Sequence, residues 1–299
     1  MLNAVCGHFL AQRGSDLAMP MALLRDDGRA IDPCARDCAP LAGRRVAVFV
    51  HGLGCDESSW LRDADGGRTY GEALAAELGH VPVYVRYNSG LSIAANGAML
   101  AELLRGVWRA ARGRIDELVL VGHSMGGLVA RQACTHAARR RHGWLGATRM
   151  VVCLGSPHRG APLPKLVAAL PGPLAAIVGA LSAGIRDLER GMEDPGTSPV
   201  PHRYVAACIA PRGMPGSRWL GDGLVAFDSA APGRSRANVA CVRIDGAHHM
   251  QLLNEPRVHA HLRRWLRREP AASGAQGARS RHRRPLRARG PLAVRAPRD

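Results

Sequence analysis

Six short apolar runs, separated by segments of helix length, limit what this chain can fold into more than any other feature of its sequence. Val46–Val50 is unbroken and β-branched, and it is followed by 81–85, 117–121, 150–154, 204–209 and 239–242. A run that is apolar on consecutive residues is buried on both faces, as strands inside a parallel sheet are. Residues 70–79, 92–112, 125–141 and 256–268 lie around these runs and have the length and polarity of helices. Strands alternating with helices require right-handed crossovers, so the expected class is α/β, a doubly wound and mostly parallel sheet flanked by helices. Functional groups in such a sheet collect at the carboxyl ends of its strands.

The rest of the chain divides around this core. Residues 1–42, with mixed charge and Pro20, Pro33 and Pro40, read as an N-terminal extension with a short helix over 17–25. The main domain is expected over 43–269. Within it, positions 166–185 carry no charge, a length at which a membrane span has to be considered. Pro171-Gly172-Pro173 interrupts that stretch, and much of the remainder is Ala and Gly. The better reading is a cap-like insertion over about 163–200, with a helix over 174–188 that places Ile177, Val178, Leu181, Ile185 and Leu188 on one face. The Arg-rich tail 270–299 has too little apolar surface to offset its ordering entropy and is expected to be disordered; contact with an anionic membrane surface is its alternative use.

The net charge of +17 suggests nucleic acid only if it forms a basic face. The tail takes eight Arg and one Asp of it, and aromatics for base stacking amount to 4%. A nucleic-acid partner is therefore not expected. The eight cysteines are scattered without a C-x-x-C pair, against a disulfide framework or a zinc ribbon. Asp16, Asp26 and Asp27 break any apolar leader, so the expected compartment is the cytoplasm. No two pairs of histidines fall at ligand spacing, and neither a metal nor a cofactor is expected.

Gly122-His123-Ser124-Met125-Gly126 is a G-x-S-x-G pattern, and its placement carries more weight than its letters. It follows the run 117–121 directly and opens the helix 125–141, the strand-turn-helix context of a nucleophile elbow. A serine hydroxyl needs a base to take its proton and a carboxylate to orient that base. Asp222 follows the fifth run, and His248 and His249 follow the sixth, so the order serine, acid, histidine is met. Spacing does not choose between the two histidines, and Asp228 and Asp245 are rival acids. An oxyanion hole needs two N–H donors, assigned to Met125 and to Leu53 in His51-Gly52-Leu53-Gly54 behind the first run.

Taken together, Val50–Gly54, the elbow and the late Asp and His resemble the α/β-hydrolase superfamily. More narrowly, Leu154-Gly155-Ser156-Pro157-His158-Arg159-Gly160-Ala161-Pro162, Arg86-Tyr87-Asn88-Ser89-Gly90 and His249-Met250-Gln251-Leu252-Leu253 resemble bacterial triacylglycerol lipases and GPI inositol-deacylase-like esterases. The resemblance covers about 44–268. It selects His249 over His248 and places the acid on Asp222, while Ala226-Phe227-Asp228 departs from the usual residues after the acid. It implies a carboxylic ester hydrolase acting on lipid-like or apolar acyl esters through an acyl-enzyme on Ser124. His51, Gly52, His123, Leu174, Ile177, Val178 and Leu181 are the expected substrate contacts. The alternatives are an acyltransferase with the same triad and a non-catalytic lipid-binding protein of this fold; the oligomeric state is left open.

Overall fold

The computed structural model describes residues 2–61, 67–161, 182–191, 200–231 and 239–267. Its frame is one sheet with strand order β1-β3-β2-β4-β5-β6-β7. The strands are β1 (Ala22–Leu24), β2 (Arg45–Val50), β3 (His80–Arg86), β4 (Glu117–His123), β5 (Thr148–Leu154), β6 (His202–Cys208) and β7 (Val239–Asp245). Strands β2 to β7 pair in parallel, and each matches one of the six apolar runs.

The longer helices are α1 (Leu2–Gln12), α2 (Tyr70–Leu78), α3 (Ile93–Ala110), α4 (Met125–Arg140), α5 (Ala183–Arg190) and α6 (Pro256–Leu266). Local signals start them. Thr69 and Glu72 form a reciprocal capping box on α2, and the Ser92 hydroxyl accepts from the Ala95 N–H at the start of α3. On α3, Ile93, Asn96, Gly97, Leu100, Ala101, Leu104 and Val107 are buried, the three- and four-residue spacing of a stripe against the sheet.

Alternation along the strands fills two cores. Val46, Val48 and Val50 face α3 and α4 together with Leu118 and Leu120. Ala47 and Phe49 face the other way, onto a layer built from Leu74 of α2 and Val258, Leu262 and Leu266 of α6. Burying both faces is what the unbroken apolar runs require.

The N-terminal segment departs from expectation. Residues 22–24, expected within a helix, form β1 and pair antiparallel with Tyr84, Val85 and Arg86 of β3, while the helix lies earlier, at 2–12. The open edge of β3 offers unpaired backbone groups, and satisfying them outweighs the local helix preference of Ala-Leu-Leu. Helix α1 then reaches the loop after β3, where the Asn88 amide donates to Gly7 O at 2.9 Å. Of the expected helix 174–188, residues 174–181 lie outside the described residues; α5 does bury Ile185 and Leu188. The tail 270–299 also lies outside them. All eight cysteines are free thiols, and among the described residues no helix is long and apolar enough to cross a membrane.

Candidate active site

β4 ends in the turn that carries Ser124, whose backbone sits at φ 54 and ψ −124. A side chain with a Cβ rarely adopts that region, and holding it there costs on the order of 1–3 kcal/mol. Neighbouring contacts maintain it: the Ser124 N–H donates to Leu154 O at 2.8 Å, and its carbonyl accepts from the Gly127 N–H at 3.2 Å. The flanking glycines answer a steric demand. A Cβ on Gly122 would stand 2.3 Å from Gly127 N, and one on Gly126 would stand 2.1 Å from Val50 O. Met125 is the first residue of α4, so its N–H has no carbonyl to bond within the helix.

The late acid and base meet. His249 opens a 3-10 turn (His249–Leu253) after β7, and its Nδ1 lies 2.7 Å from Asp222 Oδ2, both side chains buried. The other carboxylate oxygen accepts the N–H groups of Leu224 at 3.0 Å and Val225 at 2.7 Å, and Asp222 O accepts the His249 N–H at 3.0 Å. Four contacts therefore fix acid and imidazole. With Nδ1–H committed to the carboxylate, Nε2 is left as the basic nitrogen. The rivals stand elsewhere: His248 is exposed, Asp245 pairs with Arg243, and Asp228 lies in the short helix Phe227–Ala230.

His123 joins the elbow to this pair. Its Nε2–H donates to His249 O at 3.0 Å, and the two rings lie 4.7 Å apart. Beneath acid and base, Gly155 sits at φ 59, where a Cβ would stand 2.8 Å from Leu252 Cδ1, 3.1 Å from Asp222 Oδ2 and 3.2 Å from His249 Nδ1, a conformation and a tight fit that favour glycine.

The loop after β2 is held from the neighbouring strand. The Tyr87 hydroxyl donates to His51 O at 2.7 Å, and its ring stacks on the His51 ring at 4.2 Å. His51 Nδ1–H bonds Gly52 O at 2.9 Å, and the Gly54 N–H donates to Ser89 Oγ at 3.3 Å. Leu53, between these anchors, is half-buried against the core. Burial pushes His51 down to about 4 and His123 down to about 3, with the neighbouring His249 adding to the latter. Both rings are neutral at pH 7.

Of the expected substrate contacts, His51 and His123 are 0% and 1% exposed, beside Ser124 at 6% and His249 at 4%. The Gly52 backbone abuts Ser124, where a Cβ would meet the serine Cβ at 3.0 Å. Leu174, Ile177, Val178 and Leu181 lie outside the described residues. Sequence reasoning missed the supporting roles of Tyr87, Ser89 and Gly155. All three fall in stretches that carry the lipase resemblance, which was the available signal.

Residues 88–167 match the model of the PGAP1-like alpha/beta domain family. No curated protein matches the chain significantly in sequence. Among solved structures, the mature form of the Bacillus licheniformis lipase BlEst2 is similar at a TM-score of 0.56 and 21% identity, over 75% of this chain and 92% of that one. The propeptide form of the same lipase gives 0.56 and 21%, over 76% and 51%. A lipase-esterase related protein from Clostridium acetobutylicum gives 0.50 and 12%, over 83% and 99%. The likeness is one of fold: the parallel sheet with the turn at the end of β4 is an α/β-hydrolase fold, and residues 88–167 carry the PGAP1-like pattern.

Proposed function

We propose that the protein is a serine hydrolase of carboxylic esters. The observation that carries this reading is the strained backbone of Ser124 at the end of the central strand β4, in the same molecule as a buried Asp222–His249 pair at 2.7 Å. In this mechanism Ser124 Oγ attacks the ester carbonyl as His249 Nε2 takes its proton. Asp222 holds the imidazole in the Nδ1–H form and stabilises the imidazolium. The N–H groups of Leu53 and Met125 receive the charge that develops on the carbonyl oxygen. The alcohol leaves with the proton from His249, and water, activated by the same imidazole, cleaves the acyl-serine ester and regenerates the hydroxyl.

Lipid-like or apolar acyl esters are the proposed substrates. Support comes from the apolar segment that enters α5, whose start packs beside the site: the Gly184 N–H donates to Gly90 O at 3.3 Å, and a Cβ on Gly184 would reach the Met125 sulfur at 3.5 Å. In that reading Leu174, Ile177, Val178 and Leu181 form the acyl wall.

The test is labelling of the full chain by a fluorophosphonate, together with turnover of p-nitrophenyl esters of increasing chain length. Ser124→Ala should abolish both signals. Labelling that survives the substitution overturns the assignment of the nucleophile. Product analysis with a competing alcohol or thiol separates hydrolysis from acyl transfer, and an unlabelled, inactive but folded chain would favour a non-catalytic lipid binder. Ile177→Arg and Leu181→Arg should shift preference toward short chains; an unchanged profile sinks the acyl wall.

A further inference from the structure

Away from the elbow, helices α3 and α4 bring together three side chains that the proposed chemistry does not use. His136 lies eleven residues beyond Met125, about 16 Å along the axis of α4 at 1.5 Å per residue. His142 stands just past the same helix, ahead of the 3-10 turn Gly143–Ala147, and Glu102 comes from the middle of α3. Both imidazoles aim Nε2 at one carboxylate oxygen. His136 Nε2 is 3.5 Å and His142 Nε2 is 3.3 Å from Glu102 Oε1, and the three atoms lie within 4.8 Å of one another.

The two histidine–carboxylate separations are longer than charge-assisted hydrogen bonds, which close to about 2.7–2.9 Å. They approach the edge of a tetrahedron around zinc, where bonds of about 2.0–2.1 Å place neighbouring ligand atoms roughly 3.4 Å apart, while the two imidazoles lie within 4.8 Å of each other. Two imidazoles and a carboxylate form a donor set suited to zinc.

Neighbouring contacts orient Glu102 and the turn after His142. Arg105 binds the other carboxylate oxygen, Oε2, at 2.6 Å and leaves Oε1 facing the histidines. The buried Trp144 donates its indole N–H to Ala101 O at 3.2 Å, and Thr148 Oγ1 bonds Trp144 O at 3.1 Å, which pins the turn after His142 to α3 and β5. Arg105 also brings a positive charge against a cation, so the site is weaker than a closed thiolate cage.

We propose that Glu102, His136 and His142 form a three-ligand Zn²⁺ site, with water as the fourth ligand, that staples α3, α4 and the turn leading into β5. The inference is independent of the proposed ester hydrolysis. Its distance from Ser124 assigns it to stability, not to the reaction.

Zinc titration of the full chain, freed of metal by EDTA, followed by calorimetry and by thermal melting, tests the proposal. Expected are saturable binding that raises Tm and a loss of affinity of at least about tenfold in His136→Gln, in His142→Ala and in Glu102→Gln. Because His142 is buried, His136→Gln at the helix surface is the decisive variant, with its fold checked by circular dichroism and by its Tm in EDTA. Cobalt bound in place of zinc should show d–d bands without thiolate charge transfer, which separates this site from the cysteines. No zinc-dependent rise in Tm, or binding unchanged by His136→Gln and Glu102→Gln in folded protein, overturns the proposal.

Discussion

At the residue scale, the site depends on side chains that have no freedom left. Asp222 spends one oxygen on two backbone N–H groups and the other on His249 Nδ1. An asparagine that keeps the first pair of contacts turns its amide N–H toward the imidazole and loses the preference for the Nδ1–H tautomer. Asp222→Asn is therefore expected to lower kcat on the order of 10³–10⁴-fold with little change in KM, read from ester turnover. His248→Ala, at the exposed neighbour, should leave kcat within about twofold. Equal losses in the two variants would mean that the base has been misassigned.

At the element scale, α1 bears on the site through a chain of contacts. A Cβ on Gly7 would stand 1.9 Å from Asn88 Oδ1, so the helix seats directly on the loop after β3. That loop carries Ser89, whose hydroxyl receives the Gly54 N–H of the loop after β2, the proposed oxyanion loop. Asn96 of α3 braces it from the other side, with its amide donating to Asn88 O at 3.0 Å. Gly7→Leu should push α1 off this seat and destabilise the fold by about 1–3 kcal/mol through overpacking. It should also reduce kcat/KM by misplacing Leu53. Urea unfolding and ester turnover of the same preparation check both effects. Unchanged turnover alongside reduced stability would separate α1 from the site.

For the whole molecule, buried neutral histidines make stability depend on pH. His51 and His123 are held at about 4 and about 3, chiefly by burial, while the unfolded chain protonates histidine near 6.5. Between those values the unfolded state binds protons that the folded state does not, so stability falls as pH drops below about 6.5. Each group contributes a slope of at most about 1.4 kcal/mol per pH unit. Urea midpoints should decline steadily from pH 7 to pH 4.5, and His51→Asn should flatten part of the slope. A wild-type profile flat over that range would show that these rings are not kept neutral.

What the sequence determined by itself was whatever local pattern and chain order can encode. Unbroken apolar runs fixed β2 to β7 because only burial on both faces rewards them, and the glycines around Ser124 marked the elbow because a Cβ at either would strike backbone. Tertiary structure alone decided the rest. Ala22–Leu24 became an edge strand because β3 offered unpaired backbone groups, which no local signal reports. His51 and His123 turned inward because their partners, the Tyr87 ring and the His249 carbonyl, come from elsewhere in the chain, the latter 126 positions away. His136 and His142 found Glu102 only when α3 packed on α4. Contacts between residues far apart in sequence carry no local periodicity, so they become visible only once the sheet has brought their elements together.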